Sequence, residues 1–225
     1  MSRPESGDSQ LMGKPPFLVL MQGMKKAGKS VLIKHICWQY RNVFQYIVVF
    51  SGSEQVNEAY GSFLPKQYIH SSYDSSVMNA IIEKQKKFKK AGKDVHCLII
   101  WDDCMGAGFD WRKPTLNPEL VTLSTSNRHY NISIIISSQS PRLIPTWWRN
   151  NADFVFLFRH LNQAVQDLYA MLSPMGRKEW EEFYSKNTND WKIIMFCTHA
   201  QRNEDLLTVF SIPKDFLNHR FRLMY

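Results

Sequence analysis

A chain of 225 residues, at roughly 150 per domain, is one domain or a slightly enlarged one with enough length for a real core. Apolar residues at 44% and charged residues at 21% exclude a mainly disordered, collagen-like or disulfide-stapled polypeptide. Lys and Arg total 28 against 20 Asp and Glu, and the net charge of +8 points toward a polyanionic partner.

In chain order, residues 1–14 carry Pro, Gly, Ser and mixed charges without periodicity and read as a flexible leader. They contain no hydrophobic signal core, and no later run approaches the ~20 apolar residues that cross a bilayer, so the expectation is a soluble, unsecreted protein. Phe17 to Met21 is a short apolar run bounded by Pro16 and Gly23, as expected of a strand buried on both faces. A glycine-containing loop leads from it into a predicted helix over residues 29–40. Further buried strands are predicted at 46–50, 97–101, 132–136 and 154–158. Helices are predicted at 75–91, with Val77, Met78, Ile81, Ile82 and Phe88 opposite a Lys-rich face, and more weakly at 116–126. Helices at 162–172 and 177–184 follow, then strands at 192–197 and 206–210. Strands alternating with helices imply an α/β fold with a mostly parallel central sheet flanked by helices. The domain is expected to occupy 15–212, with 213–225 as a tail. Cys37, Cys97, Cys104 and Cys197 form no C-x-x-C pair, which favours reduced, buried thiols over zinc or disulfides.

The segment Gly23-Met24-Lys25-Lys26-Ala27-Gly28-Lys29-Ser30 matches G-x-x-x-x-G-K-[ST] in full, after a predicted strand and at the start of a predicted helix. Glycines let the backbone curl so that several N–H groups face one phosphate chain, and the helix N-terminus adds its positive end. Lys29 then reaches the β and γ phosphates of a nucleotide such as ATP, the Ser30 hydroxyl joins a Mg²⁺ shell, and Val31 completes the nucleotide-binding segment. A second metal-side carboxylate is expected at the end of a buried strand, and Leu98-Ile99-Ile100-Trp101-Asp102-Asp103 supplies it. Asp102 is placed to hold Mg²⁺ and Asp103 to orient or deprotonate the attacking water. The strand at 132–136 runs into Ser137-Ser138-Gln139-Ser140. An amide at that tip can donate to a phosphate oxygen and accept from water.

These residues resemble the FtsK and HerA superfamily of DNA-pumping ATPases, most closely its viral branch, the poxvirus-type genome-packaging ATPases. The resemblance runs from about Phe17 to Arg159 and is carried by GMKKAGKS, LIIWDD, Ser126-Asn127-Arg128-His129-Tyr130-Asn131 leading into SSQS, and Trp148-Arg149-Asn150-Asn151-Ala152-Asp153. Relatives often have Glu where Asp103 stands. The resemblance implies a RecA-like (ASCE-type) P-loop NTPase fold and a ring oligomer, a pentamer or hexamer, that hydrolyses ATP between subunits. It further implies translocation of double-stranded DNA into a capsid, with capsid proteins as partners, inside a virus-infected cell where virions assemble. By position Arg128 resembles the finger supplied in trans to a neighbour's site, with Arg149 as runner-up.

The DNA-facing candidates are the cationic segment Lys84, Lys86, Lys87, Lys89, Lys90 and Lys93, and the loop 104–118 with Gly106, Gly108, Phe109, Trp111, Arg112 and Lys113. A solvated helix face is the plainer reading of the first. Trp147-Trp148 and the tail 220–225 read as core or subunit interface. A P-loop nucleoside or nucleotide kinase is the competing enzyme class, but it offers no reason for Gln139. A DNA-binding assembly factor without motor activity is the non-enzymatic alternative, and no N-K-x-D motif favours a GTPase.

Overall fold

The computed structural model describes residues 11–52, 59–104, 117–172, 175–213, 216 and 220–223. The strands are β1 (Leu18–Gln22), β2 (Phe44–Ser51), β3 (Ile69–His70), β4 (His96–Asp102), β5 (Ile132–Ser138), β6 (Phe154–Leu157), β7 (Lys192–Cys197) and β8 (Leu207–Ser211). The helices are α1 (Lys29–Gln39), α2 (Ser75–Lys90), α3 (Pro118–Ser126), α4 (Thr146–Arg149), α5 (Asn162–Leu172), α6 (Arg177–Asn187) and α7 (Asn203–Leu206). Every predicted element is present, with ends moved by a few residues. The sequence reading missed β3, α4 and α7, whose two to four residues are too few to show a period.

The strands form one sheet in the order β3-β2-β4-β5-β1-β6-β7-β8. β1 to β6 run parallel, and β7 and β8 are added antiparallel at one side. Alternation along the strands splits the core in two. Leu18, Leu20, Ile99, Trp101, Ile134 and Ile136 pack with α2, α3, α5 and α6 on one face, whereas Val19, Met21, Leu98, Ile100 and Ile135 pack with α1 on the other. Both faces being covered explains why these strands read as unbroken apolar runs.

The helices follow local rules. Asp74 caps α2 by accepting from the Ser76 and Val77 amides at 2.8 and 3.4 Å. The amphipathic pattern of α2 buries Met78, Ile81 and Ile82, and with them Gln85, whose amide donates to the carbonyls of Val95 and Tyr130 at 2.9 Å each. That bond ties the Lys-rich end of α2 to the turn before β5.

Some of the segments assigned to the leader and tail are packed on the domain. The Met12 amide donates to the Tyr40 hydroxyl at 3.1 Å, and that hydroxyl donates to the Gly13 carbonyl at 2.8 Å. The Leu223 amide donates to the Phe63 carbonyl at 2.8 Å, and the Phe221 ring lies tilted against that of Phe63, centroids 5.2 Å apart. Trp148 is wholly buried, edge-on to Trp101 at 5.5 Å. Cys37, Cys97 and Cys104 are buried free thiols, and Cys197 is free and half-buried. Among the described residues no helix is long and apolar enough to cross a membrane.

Candidate nucleotide site

Parallel register brings three strand ends to one edge of the sheet. Ser137 lies level with Asp102 on β4 and with Met21 on β1, and Ser138 lies level with Gln22. The residues that follow, Gly23, Asp103 and Gln139, therefore leave the sheet side by side. β5 stands between the phosphate-loop strand and the acidic strand, so Gln139 emerges between Lys29 on one side and Asp102 on the other.

The loop is pinned from both flanks: the Gly23 amide donates to the Ser138 carbonyl at 3.3 Å and the Met24 amide to the Arg159 carbonyl at 3.1 Å. Two glycines are required by geometry. Gly28 sits at φ 101°, in the left-handed region, and a Cβ on Gly23 would fall 2.6 Å from the Cβ of Phe158. α1 starts at Lys29 with no side-chain cap, which leaves its first N–H groups directed at whatever anion the loop holds. The Lys29 ammonium is buried and donates to the Gly23 and Met24 carbonyls at 2.7 and 3.0 Å. Burial holds its pKa below the usual lysine value, and the charges of Asp102 and Asp103 act in the opposite direction.

The Ser30 hydroxyl donates to Asp102 Oδ2 at 3.1 Å, so the two oxygens assigned to a metal are already neighbours. Hard oxygen donors in this number fit Mg²⁺, which binds through one or two protein oxygens while phosphates and water fill the rest of its shell. Asp103, in the left-handed region at φ 54°, turns its carboxylate to accept from Gln139 Nε2 at 2.7 Å. The two groups assigned to the attacking water are thus in contact with each other.

Two residues at the site escaped the sequence reading. Tyr60, wholly buried, donates its hydroxyl to Asp102 Oδ2 at 2.7 Å. Nothing around it in the sequence shows a period or motif. Arg159 follows β6 and joins the loop through its backbone carbonyl. Because Tyr60 holds Asp102, the carboxylate expected on the metal side, Tyr60→Phe is expected to weaken Mg²⁺–nucleotide binding about tenfold, measured by titration calorimetry. An unchanged affinity would remove Tyr60 from the site.

The arginines lie elsewhere. Arg128 precedes β5 and is ion-paired with Asp153, which precedes β6, so both occupy the amino edge of the parallel strands. That edge is a strand length, about 16 Å, from the loop of the same chain. Asp153 is buried and also accepts from the Leu18 amide at 2.8 Å, and His199 Nε2 lies 2.8 Å from its Oδ1. Arg149 is on α4 and donates to Thr146 Oγ1 at 2.8 Å. Neither guanidinium joins Lys29, Asp102 and Gln139 within one chain. Lys84, Lys87, Lys89, Lys90 and Lys93 are exposed at the end of α2, and the exposed Arg128 and His129 lie on the turn that Gln85 ties to it. Lys84 also stands 4.4 Å over the Tyr46 ring. The glycines, aromatics and cations expected of the 104–118 loop lie at 106–113, outside the described residues.

The family described as Poxvirus A32 protein matches residues 7–205. Protein 015R of frog virus 3 is 32% identical over 147 residues, covering 64% of this chain and 44% of that protein. Protein 088R of invertebrate iridescent virus 3 is 27% identical over 199 residues, covering 81% of this chain and 75% of the other. The chain thus spans less than half the length of the frog virus relative. Among solved structures, the genome packaging NTPase B204 of Sulfolobus turreted icosahedral virus 2 in complex with ATP-γ-S superposes with a TM-score of 0.63. It is 18% identical and covers 87% of this chain and 96% of its own. The pCW3 conjugation coupling protein TcpA gives a TM-score of 0.62 at 14% identity, covering 90% of this chain and 64% of its own. The fold is that of a RecA-like P-loop NTPase.

Proposed function

The chain belongs to the poxvirus A32 protein family, and we propose that it is an ATPase that drives double-stranded DNA into a viral capsid as a ring of identical subunits. The observation that carries this reading is the convergence of Lys29, Ser30, Asp102, Asp103 and Gln139 at one sheet edge, with β5 between the other two strands.

The chain's groups divide the work as follows. The loop amides and the start of α1 hold the phosphates, and Lys29 moves from the Gly23 and Met24 carbonyls to the β and γ oxygens. Ser30 and Asp102 would hold Mg²⁺, which neutralises charge on the phosphate oxygens when bound. Asp103 accepts the proton of the attacking water, and the Gln139 amide leaves Asp103 to bridge water and γ phosphate. This makes Gln139 a reporter of the γ phosphate.

The finger is assigned to Arg128 of a neighbouring subunit. Its side chain stays 57% exposed while paired with Asp153, which leaves donors free to face outward. Such a finger explains why isolated subunits should hydrolyse ATP slowly. The DNA contact is assigned to the basic amino edge, where the exposed lysines of α2 adjoin Arg128 and His129. Phosphate binding of this kind is independent of sequence and steeply dependent on salt. The shared fold with B204, a genome packaging NTPase, agrees with the reading.

The test is ATP turnover at fixed low salt with and without long duplex DNA. Stimulation severalfold by duplexes of unrelated sequence, lost as salt rises, is the expected result. Indifference to DNA together with phosphate transfer to nucleosides would overturn the motor in favour of a kinase.

A further inference from the structure

The turn between α6 and β7 places a large aromatic residue where the backbone disfavours one. The Lys192 amide donates to the Asn189 carbonyl at 3.1 Å, and the two residues between them, Asp190 and Trp191, both have positive φ, 53° and 62°. Turns of this shape are made mostly from Gly, Asn and Asp, and a tryptophan there carries backbone strain. The burial of a core residue does not offset that strain, since Trp191 is 60% exposed. Its ring instead lies against the phosphate loop: a Cβ added to Gly28 would stand 3.3 Å from the Trp191 ring.

Beside this contact opens a cleft of about 210 Å³. Ala27 and Val31 of the loop and α1, Phe158 after β6 and Ile212 after β8 give it apolar walls, and Asp190 and Ser211 add polar groups. Sheet order decides which part of a nucleotide reaches it. The hydrolytic groups stand on the β5 and β4 flank of β1, whereas β6, β7 and β8 form the other flank. A phosphate chain whose γ end meets Asp103 and Gln139 runs along the loop with its nucleoside end toward the second flank. The cleft is there, continuous with Gly28.

We propose that this cleft is the nucleobase pocket and that Trp191 is its stacking platform. The proposal rests on the nucleotide reading of the loop and adds where the base lies and what holds it. The indole face and the apolar walls cover a planar heteroaromatic ring, and the carboxylate of Asp190 accepts from an exocyclic amine of a purine. Stacking is the larger contribution, because every base offers a π face. The strained turn has a function on this reading: it presents the indole to the loop.

Titration calorimetry on the full chain separates base from phosphate, with Mg²⁺–ADP and Mg²⁺–tripolyphosphate as the two ligands. Trp191→Ala is expected to weaken ADP about tenfold while tripolyphosphate affinity holds, and Trp191→Phe to restore most of the loss. If Trp191→Ala does not fold, Trp191→Gly suits the positive φ and serves the same purpose. ADP binding at wild-type strength, or an equal loss of both ligands, would overturn the pocket. Wild-type protein that binds neither ligand would overturn the nucleotide reading itself, and this proposal with it.

Discussion

Lys29→Ala is expected to lower ATP turnover by about 10²- to 10³-fold or more while the folded state persists. The ammonium is buried, and burial is the larger influence on its pKa, so the folded chain already bears the cost of desolvating it. Truncation removes that cost together with two hydrogen bonds to the Gly23 and Met24 carbonyls, each worth about 1 kcal/mol net. The opposing changes nearly cancel, and the melting temperature should move by only a few degrees. Turnover has no such compensation, because no other described side chain stands on those carbonyls to replace the amine. Steady-state hydrolysis and a thermal melt on the same preparation check both halves. A variant with full turnover would remove the assigned site.

Asp153→Ala should act in the opposite manner, on stability first. The carboxylate is buried and receives the Leu18 amide, Arg128 and His199, so its loss strands a buried backbone donor at the start of β1 and removes the anion that holds two side chains. A cost of roughly 3 kcal/mol, or about 6–12 °C in melting temperature, is expected. Arg128→Ala should cost less, since its guanidinium is more than half exposed and Asp153 keeps its other partners. If Arg128 also acts on a neighbour's nucleotide, Arg128→Ala rings lose turnover, and mixing them with Lys29→Ala subunits recovers part of it. No recovery at any mixing ratio would leave Arg128 with the stabilising role alone.

The parts of the site that were legible in the sequence share one property: their chemistry depends on a few residues close together in the chain. GMKKAGKS after an apolar run specifies a curled loop and an uncapped helix start, and the structure shows Gly28 at φ 101° and Lys29 at the head of α1. Asp102 and Asp103 were legible because a buried strand ending in two carboxylates is costly without a cation or donors nearby. Gln139 was legible only in combination, as a polar group at the tip of another buried run. Tyr60 was not legible: its partner Asp102 is 42 positions away, and hydroxyls that orient a carboxylate carry no local pattern. Trp191 was missed for a related reason, since its contact with Gly28 joins a turn and a loop more than 160 residues apart.

From the sequence alone came an α/β domain with both sheet faces covered, a G-x-x-x-x-G-K-S turn after a buried strand and a second buried strand ending in two acids, because periodicity and local chemistry do not depend on how the strands are ordered. The order β3-β2-β4-β5-β1-β6-β7-β8 was decided only in three dimensions, where parallel pairing of strands far apart in the chain follows side-chain packing and crossover handedness. That order sets Gln139 between the loop and the acids and puts the Trp191 cleft on the other flank of β1. It also moves Arg128 to the edge away from the phosphate loop of its own chain, paired with Asp153. The exposed lysines of α2 are likewise gathered beside Arg128 only once Gln85 ties the helix to the turn before β5.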